Sequence, residues 1–255
     1  MKNPRILLSN DDGIHAPGLK VLQRIARKLS DDVWVVAPET EQSGASHSLT
    51  LTEPLRLRRI SPRKFAVRGT PTDCVMLAIS EVVADKRPDL LLSGVNRGAN
   101  LGEDVTYSGT IAAAMEGTLL QIPSIALSQV FRSGGNPHWA TAEHHAPALI
   151  RKLLGTGWAK DTLINVNFPD VVHTAVTGVR VGSQGRRDFS SSVIEKRVDA
   201  RGVPYFWIGF RRDESATDPK TDLGVVERNG IAVTPLHLDL AHRRSMSDLR
   251  KALED

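Results

Sequence analysis

Short runs that are apolar on successive residues, helical repeats between them, and Gly-, Asn- and Asp-bearing loops after them predict a doubly wound α/β fold on a mainly parallel sheet. Ile6 to Leu8 is the first run, and Leu19, Leu22, Ala26 and Leu29 recur behind it at three- and four-residue spacing. Val33 to Ala37 completes a β-α-β unit. Leu51, Leu55 and Leu57 alternate with polar residues between Leu49 and Leu57, and Lys64 to Val67 is expected to pair with them as a hairpin flanking the core sheet. Thr70-Pro71-Thr72-Asp73 is a capping box with proline at the first helical position, so a helix starts there. A strand over Asp89 to Ser93, a helix over Ser108 to Gly117 and a strand over Ser124 to Ser128 continue the alternation. A helix from His138 to Leu154 and a strand from Leu163 to Phe168 close it.

The style changes near residue 178, after which strand-like segments alternate with Gly-, Arg- and Ser-rich loops. Ser245 and Asp248 read as a second capping box before the apolar stripe Met246, Leu249 and Leu253. Residues 1–178 are therefore expected to form the binding and catalytic core. Residues 179–255 are expected to be a strand-rich C-terminal appendage for subunit contacts.

Composition narrows the class. Hydrophobic residues make up 40% and charged residues 24% of 255, which suits a soluble globular chain. No apolar run reaches the about 20 residues of a membrane span, and Met1 to Arg5 leads into a strand with no signal-peptide core, so a cytoplasmic protein without a membrane partner is expected. The single cysteine, Cys74, excludes an intrachain disulfide and a cysteine metal cluster, and is expected to be buried. Net charge is +4, and the basic pairs Arg186-Arg187, Arg211-Arg212 and Arg243-Arg244 lie in separate loop-like stretches without interleaved aromatics. Solvated surface charge accounts for them, and no stable nucleic-acid complex is expected.

In open parallel sheets ligands bind beyond the carboxyl ends of the strands. Three such loops carry oxygen donors and glycine: Ser9-Asn10-Asp11-Asp12-Gly13, Glu41 to His47, and Ser93 to Asn100. Adjacent carboxylates repel unless a cation is shared or one is protonated, and hard cations such as Mg²⁺ or Mn²⁺ take oxygen ligands. On its own, Asp-Asp-Gly equally makes an Asx turn with Gly13 at positive φ. Ser108-Gly109-Thr110 begins a serine-capped helix whose exposed N–H groups suit phosphate, or simply a well-capped helix. It is the convergence of these loops at one sheet edge that favours a metal and phosphate site. The hydroxyl of Ser43 reads as a weak metal ligand or a turn residue, and His47 reads first as a turn or hairpin-entry residue. His144 and His145 are helix neighbours that cannot face one ligand together.

Other chemistries lose support. The sequence has no G-x-S-x-G elbow, no Walker phosphate loop, no H-E-x-x-H and no G-x-G-x-x-G after the first strand. Haloacid-dehalogenase-like phosphatases separate their aspartates by one residue, which Asp11-Asp12 does not. A receiver-like phosphate sensor needs an aspartate ending a later strand, where Ser93 stands.

Taken as strings, Ile6 to Ile14, Ser43 to Leu51, Gly69 to Val75, Ser93 to Gly102, Tyr107 to Thr110, Thr221-Asp222 and Val233 to Leu236 resemble the stationary-phase survival protein SurE family of nucleotidases. The resemblance spans nearly the whole chain. It implies a Rossmann-like core and one divalent metal ion per subunit, Mg²⁺ or Mn²⁺, held by Asp11, Asp12, Ser43 and Asn96. It also implies hydrolysis of nucleoside 5′- and 3′-monophosphates, with short polyphosphate as a further substrate. Asn100, Ser108, Gly109 and Thr110 fall on the family's phosphate-contacting positions, with Asn10 and Gly44 nearby, and Asp11 and Asp12 are the catalytic candidates. Homodimers or homotetramers built by exchanged C-terminal segments are implied as well. The chain departs from the family at Glu39-Thr40-Glu41-Gln42, where relatives are more basic, and at Ser9, where threonine is common.

Overall fold

The structure is a computed structural model that describes residues 3–131, 135–186, 192–210 and 218–254. Arg187, Arg211 and Arg212 of the basic pairs lie outside the described residues. In chain order the first half contains β1 (Ile6–Ser9), α1 (Pro17–Arg27), β2 (Val33–Pro38), β3 (Arg56–Ser61), β4 (Lys64–Arg68), α2 (Pro71–Leu77), β5 (Leu90–Arg97) and α3 (Gly109–Leu119). The second half contains β6 (Ser124–Gln129), α4 (Trp139–Thr156), β7 (Thr162–Phe168), β8 (Val179–Val181), β9 (Ser192–Val198), β10 (Pro204–Phe210), α5 (Asp222–Glu227), β11 (Ile231–His237) and α6 (Arg243–Leu253).

Nine strands form one sheet in the order β3-β4-β2-β1-β5-β6-β7-β11-β8. The six from β4 to β7 run parallel, as the apolar runs predict, and β3 and β11 pair antiparallel with β4 and β7. Because strand side chains alternate between faces, the sheet divides one core into two. Ile6, Leu8, Leu90, Leu92, Ile125, Leu127, Ile164 and Val166 meet α1 and α4. Leu7, Val36, Leu91, Ala126 and Leu163 meet α2 and α3, together with the buried Cys74. The chain leaves β1 toward β2 and returns on the other side at β5, so the topological switch point lies between β1 and β5.

The capping box forms as expected: Thr70 Oγ1 accepts from the Asp73 N–H at 3.2 Å and Asp73 Oδ2 accepts from the Thr70 N–H at 2.8 Å. Three expectations are corrected. The hairpin begins at Arg56, not Leu49, and joins the main sheet through β4; Leu51 is 84% exposed and precedes it. Ser93 to Arg97 is strand, not loop, with a register shift between Ser93 and Asn96 that lets β5 run past Gly94. The last helix begins at Arg243 and its cap is His242, not Ser245: the His242 ring accepts the Ser245 N–H.

The sheet also crosses the expected division at residue 178, since β8 and β11 continue it beyond β7. What stands apart is the hairpin β9–β10, a separate two-stranded sheet, and α6, none of whose residues is buried.

Candidate metal and phosphate site

The turn after β1 brings Asp11 and Asp12 to the switch point. Gly13 sits at φ +97°, as the Asp-Asp-Gly turn expects, but the Asn10 amide nitrogen donates to the Gly13 carbonyl at 3.0 Å, so the turn is closed by an amide-to-carbonyl bond and not by an Asx oxygen. The turn also has company. Gln42 donates its N–H to the Asp11 carbonyl at 2.8 Å, which joins the second loop to the first. The Arg97 N–H at the end of β5 donates to Asp12 Oδ2 at 3.2 Å, which joins the third.

The N-terminus of α3 closes the site. Ser108 caps it by accepting the Ile111 N–H at 3.1 Å, and the Thr110 hydroxyl donates to Asp11 Oδ1. Gly109 is required by proximity: a Cβ there would lie 2.7 Å from Asp11 Cβ and 3.0 Å from Pro71 Cγ. Helix and carboxylate touch because the residue between them has no side chain.

Burial makes this pair unusual. Asp11 is 4% exposed, and burial pushes its carboxyl up, opposed by the hydrogen bonds from Thr110. Burial and then the Asp11 charge push Asp12 up to about 6. Glu41, whose charge raises both, went unnoticed as a neighbour because it lies in a different loop.

The donor set fits a hard divalent cation. Ser9 Oγ and Asn10 Oδ1 at the end of β1, and Ser93 Oγ opposite Ser9 within β5, are buried without a hydrogen-bond partner. Orphaned oxygens beside two strained carboxyls suit a ligand that supplies positive charge. No group of three or more His, Cys, Asp and Glu side chains is assembled for a metal among the described residues, so neutral oxygens must complete the set. Asn96 donates its Nδ2 to the Gly98 carbonyl at 3.1 Å, which leaves Oδ1 as its acceptor. Ser43 is exposed and donates its hydroxyl hydrogen to Glu41 Oε1 at 2.8 Å, which leaves the oxygen lone pairs free to accept.

Other expected residues sit differently. Gly44 is exposed with open space about it. Asn100 is 4% exposed, and its side-chain amide donates to Ser128 Oγ at 2.8 Å beneath the loop. His47 lies 3.0 Å from Glu116 Oε2 on α3 and so ties the second loop to that helix; Ser46 adds bonds to the Thr106 and Tyr107 carbonyls. His144 stacks on His173, and His145 donates to the His173 carbonyl, a packing role.

Sequence reasoning missed two supports of the third loop. Asn165 and Asn167 on β7 bond to Asn100, and the readable trace was a pair of amides two residues apart in an apolar strand. Asp222 is fully buried; its carboxylate accepts the Gly102 N–H at 2.9 Å and the Gly185 and Leu223 N–H groups at 2.8 Å.

Fold and site together define an α/β protein with a buried acidic pair set against a helix N-terminus at the topological switch point of its sheet. The family described as Survival protein SurE matches residues 6–191. The 5′-nucleotidase SurE of Parvibaculum lavamentivorans is 58% identical over 254 residues, covering 99% of this chain and 92% of its own length. That of Paramagnetospirillum magneticum is 59% identical over 248 residues, covering 97% and 95%. Among solved structures, the SurE protein from Aquifex aeolicus matches with a TM-score of 0.85 at 40% identity, covering 99% of this chain and 100% of the other. The chain belongs to the SurE family.

Proposed function

We propose that this protein is a divalent-metal-dependent phosphomonoesterase that hydrolyses nucleoside 5′-monophosphates to nucleoside and phosphate. The 3′-monophosphates and short polyphosphate are further substrates. One observation carries the reading: Thr110, in the first turn of α3, bonds directly to Asp11 of the acidic pair, so cation and phosphate sites share a wall. The relatives named 5′-nucleotidase support the substrate class.

Asp11, Asp12, Ser43 and Asn96 would hold one Mg²⁺ or Mn²⁺ per subunit, with Asn10 and Gly44 beside them. When bound, such an ion supplies Lewis-acid polarisation of a phosphoryl oxygen and lowers the pKa of water. The chain does the rest. Ser108, Gly109 and Thr110 present the helix N-terminus, whose first N–H groups lack intrahelical partners and stabilise charge that grows on the phosphoryl oxygens. Thr110 fixes the Asp11 carboxylate, and Asp12, the less buried acid, accepts a proton from the attacking water. Asn100 shapes the loop over this pocket through its main chain.

A cytoplasmic location, where nucleotides are abundant, suits this reaction. No helix among the described residues is long and apolar enough to cross a membrane. Subunit contacts fall to β9–β10 and α6, whose exposed Ile194, Phe206, Trp207, Ile208, Leu249 and Leu253 suit a homodimer or homotetramer.

Phosphate release from AMP with Mn²⁺, repeated after chelation, tests the activity. Release that stops on chelation and returns with metal is expected; binding of AMP without release would make the protein a nucleotide sensor instead.

A further inference from the structure

β7 is interior to the sheet, where apolar side chains are the rule. Ile164, Val166 and Phe168 obey it toward α1 and α4. Asn165 and Asn167 point to the opposite face, and both are fully buried. Asn165 Nδ2 donates to the Asn100 carbonyl at 2.8 Å, and Asn167 Nδ2 donates to the same carbonyl at 3.0 Å and to Asn165 Oδ1 at 3.2 Å. Asn167 Oδ1 accepts the Asn100 N–H at 2.9 Å. Ser128, on the neighbouring β6, takes the Asn100 side chain.

Apart from the Asn167–Asn165 bond, these bonds converge on one loop residue, Asn100. Buried amides are costly unless matched, and apolar residues would fill this strand without that requirement. What the amides add is direction: they grip both the N–H and the C=O of Asn100. That residue lies between Asn96, at the end of β5, and Ser108, at the start of α3, so its orientation sets how the two sides of the pocket face each other.

We propose that Asn165 and Asn167 are positioning residues for phosphoester hydrolysis, a brace under the active-site loop that holds the cation-side and phosphate-side donors in one register. The inference rests on the nucleotidase reading. Both side chains are fully buried and reach the loop through the Asn100 main chain, so their loss should act on turnover more than on binding.

The test uses the full chain with Asn167→Val, and Asn165→Thr as a milder change that leaves one donor to the Asn100 carbonyl. With AMP and saturating Mn²⁺, Asn167→Val should lower kcat about a hundredfold while KM and Mn²⁺ affinity stay near wild type. Asn165→Thr should shift kcat in the same direction by less. Amide exchange of residues 97–106 should quicken in both, with β1 and α3 still protected. A variant that melts earlier yet keeps wild-type kcat below its melting point makes the amides merely structural and overturns the proposal. If Asn167→Val does not fold, Asn165→Thr decides by the same two readings. If the wild-type chain releases no phosphate, the nucleotidase reading fails, and exchange alone judges the brace: unchanged exchange in 97–106 rejects it, faster exchange upholds it.

Discussion

Two regions of this chain handle polarity in opposite ways. At the carboxyl ends of β1, β5 and β7, polar side chains are buried: Asp11, Asn100, Thr110, Asn165, Asn167 and Asp222 are all nearly or fully out of solvent, and most of their atoms are matched by partners. In the hairpin β9–β10, large apolar side chains face outward, with Ile208 74% and Trp207 60% exposed. Burying polar groups without need is costly, and so is leaving a broad apolar surface wet. Under the function proposed above, the first region serves small charged ligands and the second another protein surface.

The comparison breaks first at Asp11. Asp11→Asn keeps the shape and removes the charge, and AMP hydrolysis with Mn²⁺ should fall about 10³-fold in a phosphate-release assay. Gly109→Ala comes next. Its methyl would press on Asp11 Cβ at 2.7 Å, and displacement of the acid should cost about a hundredfold in kcat together with a lower melting temperature from overpacking. Asp222→Ala removes the acceptor of two distant N–H groups, and each orphaned buried donor costs about 1–3 kcal/mol, so urea unfolding should show a clear loss of stability along with reduced turnover.

A pH prediction sharpens the reading of the acidic pair. Asp12 is raised to about 6, so relative to the unfolded chain it favours the metal-free fold below its ordinary pKa of about 4, and that contribution is lost as pH rises through about 6. A bound cation removes the penalty on the charged form. Mn²⁺ should therefore raise the melting temperature more at neutral pH than at pH near 5, and binding titrations should show affinity falling as Asp12 protonates. The smallest effect on chemistry belongs to the hairpin. Trp207→Ser with Ile208→Ser should reduce the assembly mass seen by light scattering and leave the circular dichroism of the sheet intact; an unchanged mass would show that the apolar strands do not hold subunits together. Cutting at residue 178 is the wrong version of this test, because it also removes β8 and β11 from the main sheet.

The legible features were local. Thr70, Pro71 and Asp73 announce α2 within four residues, and the apolar runs of β1, β2, β6 and β7 identify strands buried on both faces. The Asp11-Asp12 turn and the Ser108 cap were readable for the same reason. Errors arose where a nonlocal partner decides. Leu51, Leu55 and Leu57 alternate like a strand, but pairing with β4 begins only at Arg56. The last helix starts earlier than its serine suggests because the His242 ring supplies the cap. β5 runs on past Gly94 because β6 continues to pair with it at Asn96 and Arg97. Neither Glu41 nor Asp222 carries a local sign of its role, since each acts on residues in a separate loop.

The bond between Asp222 and Gly102 joins residues 120 positions apart, and β11 enters the sheet between β7 and the short β8. Chains emerge from the ribosome N-terminus first, at about 5–20 residues per second. The parallel strands β1 to β7 can thus gather while the last part is still being made, but β7 then waits as an open edge and the Gly102 N–H waits for its carboxylate. Until synthesis passes Asp222 and β11, the nascent chain holds its acidic pair without the carboxylate that fixes the loop after β5.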